Sequence, residues 1–187
     1  MAVSGDEIFI ADIGDNNLSY PQYSIIYFPE PLSSVDTIKN ATTLSFQYPD
    51  GSHDAEAFLV DGDTKDIYII TKRDNVSKIY KIAYPYKTGA INLATLVGSL
   101  PYTGVVSAAI SIDGKEILVK TYFGINYYQR NAGQTIMQAL QTASKTLPYK
   151  IEPQGEAVCF NKNNTGFYTL SEKGMSSTVN LYFYPRK

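Results

Sequence analysis

Two glutamates occupy matching places in this chain, in Ala55-Glu56-Ala57 and in Gly155-Glu156-Ala157. Asp12, Asp15, Asp54 and Glu172 join them as carboxylates placed beside strand-like segments. Oxygen-rich sets of this kind suit a hard divalent cation, and Ca²⁺ in particular takes carboxylates, backbone carbonyls and waters together. The metal candidates are therefore Asp12, Asp15, Asp54, Glu56, Glu156 and Glu172. Lys72, Arg73, Lys120, Tyr122 and Gln154 are the ligand-binding candidates. The competing reading is a paired network in which Lys72, Arg73 and Lys120 neutralise the acids without any metal.

For catalysis the candidates are Glu56, Glu156 and His53, each as a general base. His53 is the single histidine, so a Ser-His-Asp triad would have to use it, with Ser107 or Ser171 as nucleophile, and no spacing supplies that arrangement. No nucleophile elbow, zinc-binding helix, phosphate loop or dinucleotide fingerprint occurs. Cys159 is alone, which rules out an intrachain disulfide, and within Ala157-Val158-Cys159-Phe160 it is expected to pack as a small buried residue.

The elements that must position these residues are strands. Ile8–Ala11, Ile67–Ile70, Ile117–Lys120 and Phe167–Leu170 begin at intervals of 59, 50 and 50 residues. Before them run Ala57–Val60, Ala109–Ile112 and Ala157–Phe160, joined through turns at Asp61-Gly62-Asp63, Asp113-Gly114-Lys115 and Asn161–Asn164. Asp-Gly favours hairpins because both residues tolerate positive φ, so Asp61, Asp63 and Asp113 read as turn formers. Aromatic-rich third strands follow at Ile25–Phe28, Ile79–Ile82, Ile125–Tyr128 and Leu181–Tyr184. Weaker fourth strands follow at Leu44–Tyr48, Leu96–Leu100 and Lys145–Tyr149, as suits outer edges. Ile136, Met137 and Leu140 sit at helical spacing between Gly133 and Ala143, which predicts a short helix. A unit of about 50 residues holding four short strands is the sequence pattern of a β-propeller blade.

The expected fold is all-β: one propeller domain over residues 1–187, built of four-stranded blades, about four of them. The first unit is expected to lack its innermost strand and the last its outermost. That imbalance favours a part of a larger propeller, without its N-terminal blade or blades, over closure with four. In antiparallel hairpins the start of the first strand and the end of the second share one face of the disc. His53, Asp54, Glu56, Ser107, Gln154 and Glu156 are thereby expected on the same face as Asp12, Asp15, Lys72, Arg73, Lys120, Tyr122 and Glu172.

With 16 Lys and Arg against 18 Asp and Glu, the chain carries a formal charge of −2 and no basic run, so nucleic acid is not an expected partner. No apolar run approaches the length of a membrane-spanning helix. Asn17, Asn40, Asn75 and Asn163 each begin a glycosylation sequon, which fits a secreted or periplasmic setting.

Asp12-Ile13-Gly14-Asp15-Asn16, Asp54-Ala55-Glu56-Ala57, Thr71-Lys72-Arg73, Ser111-Ile112-Asp113-Gly114, Lys120-Thr121-Tyr122, Gln154-Gly155-Glu156-Ala157 and Ser171-Glu172 follow one another along nearly the whole chain. This ordered series resembles a family of uncharacterised secreted β-propeller proteins, related in outline to phytase-like and esterase-like propellers. The resemblance implies the fold and the working face but no reaction. Members carry a further stretch, with an acidic innermost strand, ahead of the Asp-Ile-Gly-Asp-Asn element, and this chain has none. Three functions remain in play. The first is a binding module for a small molecule, glycan or protein, aided by a cation. The second is a metal-dependent hydrolase of phosphate esters or lactones. The third is a structural part completed by self-association or by a partner chain. Binding is the expectation.

Overall fold

Alternation of apolar and polar residues over five- and six-residue runs produces strands that pair as consecutive antiparallel hairpins. The computed structural model describes residues 1–174 and 178–186. Its first sheet holds β1 (Ala2–Ser4), β2 (Glu7–Asp12), β3 (Tyr23–Pro29) and β4 (Thr42–Gln47). The second holds β5 (Ala55–Val60), β6 (Ile67–Thr71), β7 (Lys78–Ile82) and β9 (Thr95–Ser99), while β8 (Asn92–Leu93) leaves it to join the first. The third consists of β10 (Val105–Ile110), β11 (Glu116–Thr121), β12 (Ile125–Gln129) and β13 (Lys145–Leu147). The fourth has three strands, β14 (Ala157–Phe160), β15 (Gly166–Leu170) and β16 (Tyr182–Pro185). The sheets stand in sequence order as the blades of a propeller. Among the described residues the last sheet has no fourth strand, as expected.

Two features depart from the sequence reading. The first sheet does have an inner strand: Ala2, Val3 and Ser4 pair with Phe9, Ile8 and Glu7 across a two-residue loop. Gly5, at φ +58, supplies the positive φ that a tight hairpin needs at its first loop position. A three-residue strand is too short to betray itself by alternation. The second departure is β8, which runs parallel to β4, with Phe46 opposite Asn92 and Gln47 opposite Leu93. Asn92 locks this clasp from a buried position: its Nδ2 donates to the carbonyls of Ser45 and Lys87, and its Oδ1 accepts from the Lys87 amide. The second blade thereby holds the outer edge of the first.

Packing is between neighbouring blades. Phe9, Tyr23, Ile25, Leu44 and Phe46 of the first sheet meet Phe58, Val60, Ile67, Ile69 and Tyr80 of the second. Ala57, Leu59, Tyr68 and Ile70 on the other side of the second sheet meet Val105, Ile117, Val119 and Tyr128 of the third. Leu118 and Ile125 on the far side of the third meet Val158 and Phe167 of the fourth. The predicted helix is present as α1 (Ile136–Leu140), closed by a capping box between Thr135 and Gln138, and it buries Ile136, Ala139 and Leu140 in the second of these cores.

On the face bearing the Asp-Gly turns, Asp61 does more than form a turn. Its carboxylate accepts from the Asp63 amide and takes Arg130 Nη1 and Nη2 at 3.0 Å each, with both side chains buried. This bidentate pair joins the second and third blades. Arg130→Met should leave the Asp61 charge buried without its partner and cost about 3–5 kcal/mol, read as a lowered urea midpoint with unchanged m-value.

Candidate functional site

Where strand β5 begins, its register slips: Ala55 pairs with Thr71 and Ala57 with Ile70, so Glu56 is an extra, unpaired residue. The third blade repeats the irregularity with Val106, between Val105 opposite Thr121 and Ser107 opposite Lys120. Such bulges turn a side chain out of the ladder. Glu56 uses this to receive Lys72 Nζ at 2.6 Å on Oε1. Lys72 Nζ also donates to Tyr122 OH at 3.0 Å, and Tyr122 OH donates to Glu156 Oε1 at 2.6 Å. One acid–ammonium–phenol–acid circuit therefore spans the second, third and fourth blades. The sequence reading placed all four residues on one face, and the circuit joins them there.

The electrostatics follow from burial. Burial pushes the Glu56 carboxyl above its ordinary range, and the nearby Glu156 and Asp54 push it further, against the pull of Lys72. Burial works to lower the Lys72 ammonium, but its bonds to Glu56 and Tyr122 outweigh it and hold the group above its usual value. Burial, then the bond to Glu156, raises the Tyr122 phenol. Glu56 Oε2 is buried and has no hydrogen-bond partner among the described residues.

Lys120 departs from the expected pairing. Fully buried, it makes no ion pair among the described residues; its ammonium donates to the carbonyls of Gly155 and Thr121 and lies 4.9 Å from the centre of the Tyr149 ring. Desolvation lowers its pKa despite the attraction of Glu152 and Glu156. Gly155 leaves little room here, since a Cβ would stand 3.2 Å from the ammonium. Glu152 is a site residue that sequence reasoning missed: both its carboxylate oxygens are buried and without partners among the described residues. It belongs to no repeated motif, and only its place two residues before Gln154 could have drawn attention to it. Gln154 itself is exposed, at φ +52, and contributes its carbonyl to the Glu172 amide.

A second cluster lies between the first and second blades. Asp54 is buried and accepts from the Asp15 amide at 2.8 Å and from Arg73 Nε at 2.6 Å. Arg73 also reaches Asn16. Asp15, buried too, accepts from the amides of Ser19 and Tyr20 and from Tyr23 OH. Burial alone would raise its carboxyl, but these donors hold it below the usual range. Asp54 and Asp15 are thus neutralised by Arg73 and by backbone, in the manner of a paired network.

His53 does not associate with Asp54 or Glu56 through its ring. Nδ1 faces Asp74 at 3.1 Å, while Nε2 faces Asp50 at 3.1 Å and Tyr80 OH at 2.9 Å. Both nitrogens of the buried His53 are thus committed, and Lys78 joins the same knot at its exposed edge through Asp50. Asp12 and Glu172 are exposed and stand apart. Among the described residues, no three His, Cys, Asp or Glu side chains gather as a ready metal cage. Ser107 accepts from the Val158 amide, and Cys159, expected inside, is exposed on a face of the fourth sheet that no other sheet covers among the described residues.

No protein-family model matches the chain, and no curated protein matches it. Among solved structures, a chain of the nidogen/laminin complex is similar at a TM-score of 0.54 and 9% identity, over 95% of this chain and 60% of that one. Hydrazine synthase of Kuenenia stuttgartiensis is similar at a TM-score of 0.50 and 10% identity, over 98% of this chain and 57% of that one. The chain thus spans less than two thirds of these larger structures, and the likeness is one of fold.

The raised Glu56 carboxyl yields a pH test. Its folded form holds the proton more tightly than the unfolded chain, so its contribution to stability is complete below the ordinary glutamate range and is lost as pH rises through the higher folded value. Between pH 4 and pH 7, the urea midpoint of the wild type should therefore fall relative to that of Glu56→Gln, which cannot ionise. Parallel midpoints would show an ordinary carboxyl. These observations establish the β-propeller fold and, on one of its faces, a continuous polar circuit across three blades.

Proposed function

We propose that the chain is a binding module of the β-propeller class whose ligand seats on the face carrying Glu56, Lys72, Tyr122 and Glu156. The observation that carries this reading is the set of buried carboxylate oxygens without donors, Glu56 Oε2 and both oxygens of Glu152. Buried acceptors left unmade cost about 1–3 kcal/mol each. A ligand rich in hydroxyl or ammonium donors, such as a glycan or a small polar molecule, would satisfy them. Ca²⁺ is the cation this oxygen chemistry suits, with Glu56 and Glu156 as its first ligands and waters completing the shell. Exposed sequon asparagines at 17, 40, 75 and 163, with the family resemblance, support a secreted setting.

A hydrolase is the second reading, favoured by one observation: the raised carboxyl of Glu56 suits a general base. Against it, Lys72 and Lys120 are spent on internal acceptors and are not free to hold an anionic substrate. Binding is accordingly the stronger reading. Because this chain covers only part of the larger propellers it resembles, the complete binding face is proposed to include sheets beyond the four present here.

Calorimetric titration with CaCl₂, and separately with a panel of soluble oligosaccharides, tests this. One of the two should give saturable heat that is lost in the double variant Glu56→Gln/Glu156→Gln while its far-UV spectrum is retained. No heat from either at millimolar concentration would refute the binding reading. Turnover of a phosphate ester or lactone abolished by Glu56→Gln would replace it with the hydrolase.

A further inference from the structure

Hydrogen bonding on the face that carries the polar circuit leaves a surplus of one kind. Its lysine ammoniums are spent, Lys72 on Glu56 and Tyr122, Lys120 on the carbonyls of Gly155 and Thr121. What stays without a partner among the described residues is carboxylate oxygen, one atom of Glu56 and both of Glu152, itself only 6% exposed. The charges are unequal as well. Glu56, Glu152 and Glu156 act on Lys72 and Lys120, so one carboxylate of this group has no cation to answer it. Asp54, beyond them, already has Arg73. Glu56 and Glu156 are partly exposed and can be reached from solvent, while the charge of Glu152 acts from beneath.

An acceptor surplus discriminates between ligands. A neutral hydroxyl brings lone pairs that ask for donors in return, and Lys72 and Lys120 are already engaged. A primary ammonium carries donors and no acceptor, so it uses the spare oxygens and supplies the missing charge together. Ca²⁺ would need about six to eight oxygens around it, and among the described residues no three acidic side chains gather to begin such a shell. The face already holds ammoniums of its own. Lys72 Nζ lies 5.1 Å from the centre of the Tyr122 ring and Lys120 Nζ 4.9 Å from that of Tyr149, both under the pull of neighbouring carboxylates. Next to Tyr122, in the β11–β12 turn, Phe123 presents a further ring and is 82% exposed. Such a ring suits the C–H face of a sugar and attracts a cation. Gln154, exposed two residues before Glu156, adds an amide that both donates and accepts, as ring hydroxyls require.

We infer that the ligand of this face is a glycan bearing a free amino group, its ammonium seated on Glu56 and Glu156 in the field of Glu152 and its sugar ring against Phe123. This rests on the binding reading above and narrows it, from donor-rich ligands in general to amino sugars.

Calorimetric titration of the intact chain with glucosamine di- and trisaccharides, and with the same sugars N-acetylated, tests this at about pH 6.5, where such amines are charged. The free amines should give saturable heat. Acetylation removes the charge but leaves ring and hydroxyls, and should weaken binding about tenfold or more. Glu156→Gln and Phe123→Ser should each weaken the amine by a similar factor with the far-UV spectrum retained. Equal heats from free and acetylated sugars, or heat from CaCl₂ alone, would overturn the inference and leave the binding reading standing. Silence from the sugars and from CaCl₂ alike would remove both. Amine heat indifferent to both substitutions would put the amine elsewhere and also overturn the inference. Should Glu156→Gln misfold, the acetylation contrast on the wild type and the effect of Phe123→Ser, at an exposed position, decide together.

Discussion

Packing of sheet against sheet is the constraint on which this molecule depends, with the second and third sheets covered on both faces and the first and fourth on one. Each interior Ile, Leu or Phe removed from water contributes roughly 1.5–3 kcal/mol, and the second and third blades gather such residues on both sides. Nearly every residue of β5 and β6 is buried, whereas β14 and β15 alternate between buried and exposed. The strands are of the same kind, with the same hairpin geometry, and differ in what stands beside them. Everything else in the structure, from the placement of the polar circuit to the clasp by β8, presupposes this edge-on stacking of blades.

The stacking brings together residues that are far apart in sequence, and the polar circuit is the result. Glu56 and Glu156 lie on one face, close enough for the charge of Glu156 to raise the Glu56 carboxyl, and their mutual repulsion would be costly in a partly desolvated site. Lys72 and Tyr122 stand between them, one supplying a charge and the other a proton for a hydrogen bond. The circuit thus ties three blades at one end, as Asp61 and Arg130 tie two at the other. Such bonds between blades rigidify what hydrophobic stacking alone leaves free to slide. The buried oxygens of Glu56 and Glu152 are where satisfaction stops.

Local chemistry made most of the architecture legible in advance. Asp-Gly turns after Val60 and Ile112, aromatic third strands and the 50-residue spacing each report a short-range property, and the hairpins they imply are present. The grouping of Glu56, Lys72, Tyr122 and Glu156 on one face followed from hairpin direction alone. What could not be read depends on long-range neighbours. The parallel pairing of β8 with β4 rests on Asn92 finding Ser45 across 47 residues. Lys120 was expected beside a carboxylate, but the Gly155 carbonyl reaches it first. Cys159 has an interior sequence context, yet lies on a face to which no other sheet is apposed among the described residues. His53 neighbours Asp54 in sequence, but its ring turns to Asp50 and Asp74, brought to it by the β4–β5 and β6–β7 connections.

The repeat itself shows how such a site is varied without disturbing the fold. Positions 57, 107 and 157 are Ala, Ser and Ala, all small where inner strands crowd together, while positions 72, 122 and 172 are Lys, Tyr and Glu. In the first series Ala57, buried between the second and third sheets, answers to packing and tolerates little change. The second sits just beyond the paired strand ends, where the ladder makes no demand, and so it is free to carry a base, a phenol and an acid in turn. Two of these three meet, Lys72 with Tyr122, and Tyr122 then passes on to Glu156 in the following blade. Glu172, the third, is exposed next to the unpacked face of the fourth sheet. Polar specificity in this molecule is therefore written at one recurring position per blade and read across the gap to the next, so the apolar stacking that orders the blades also decides which charges meet.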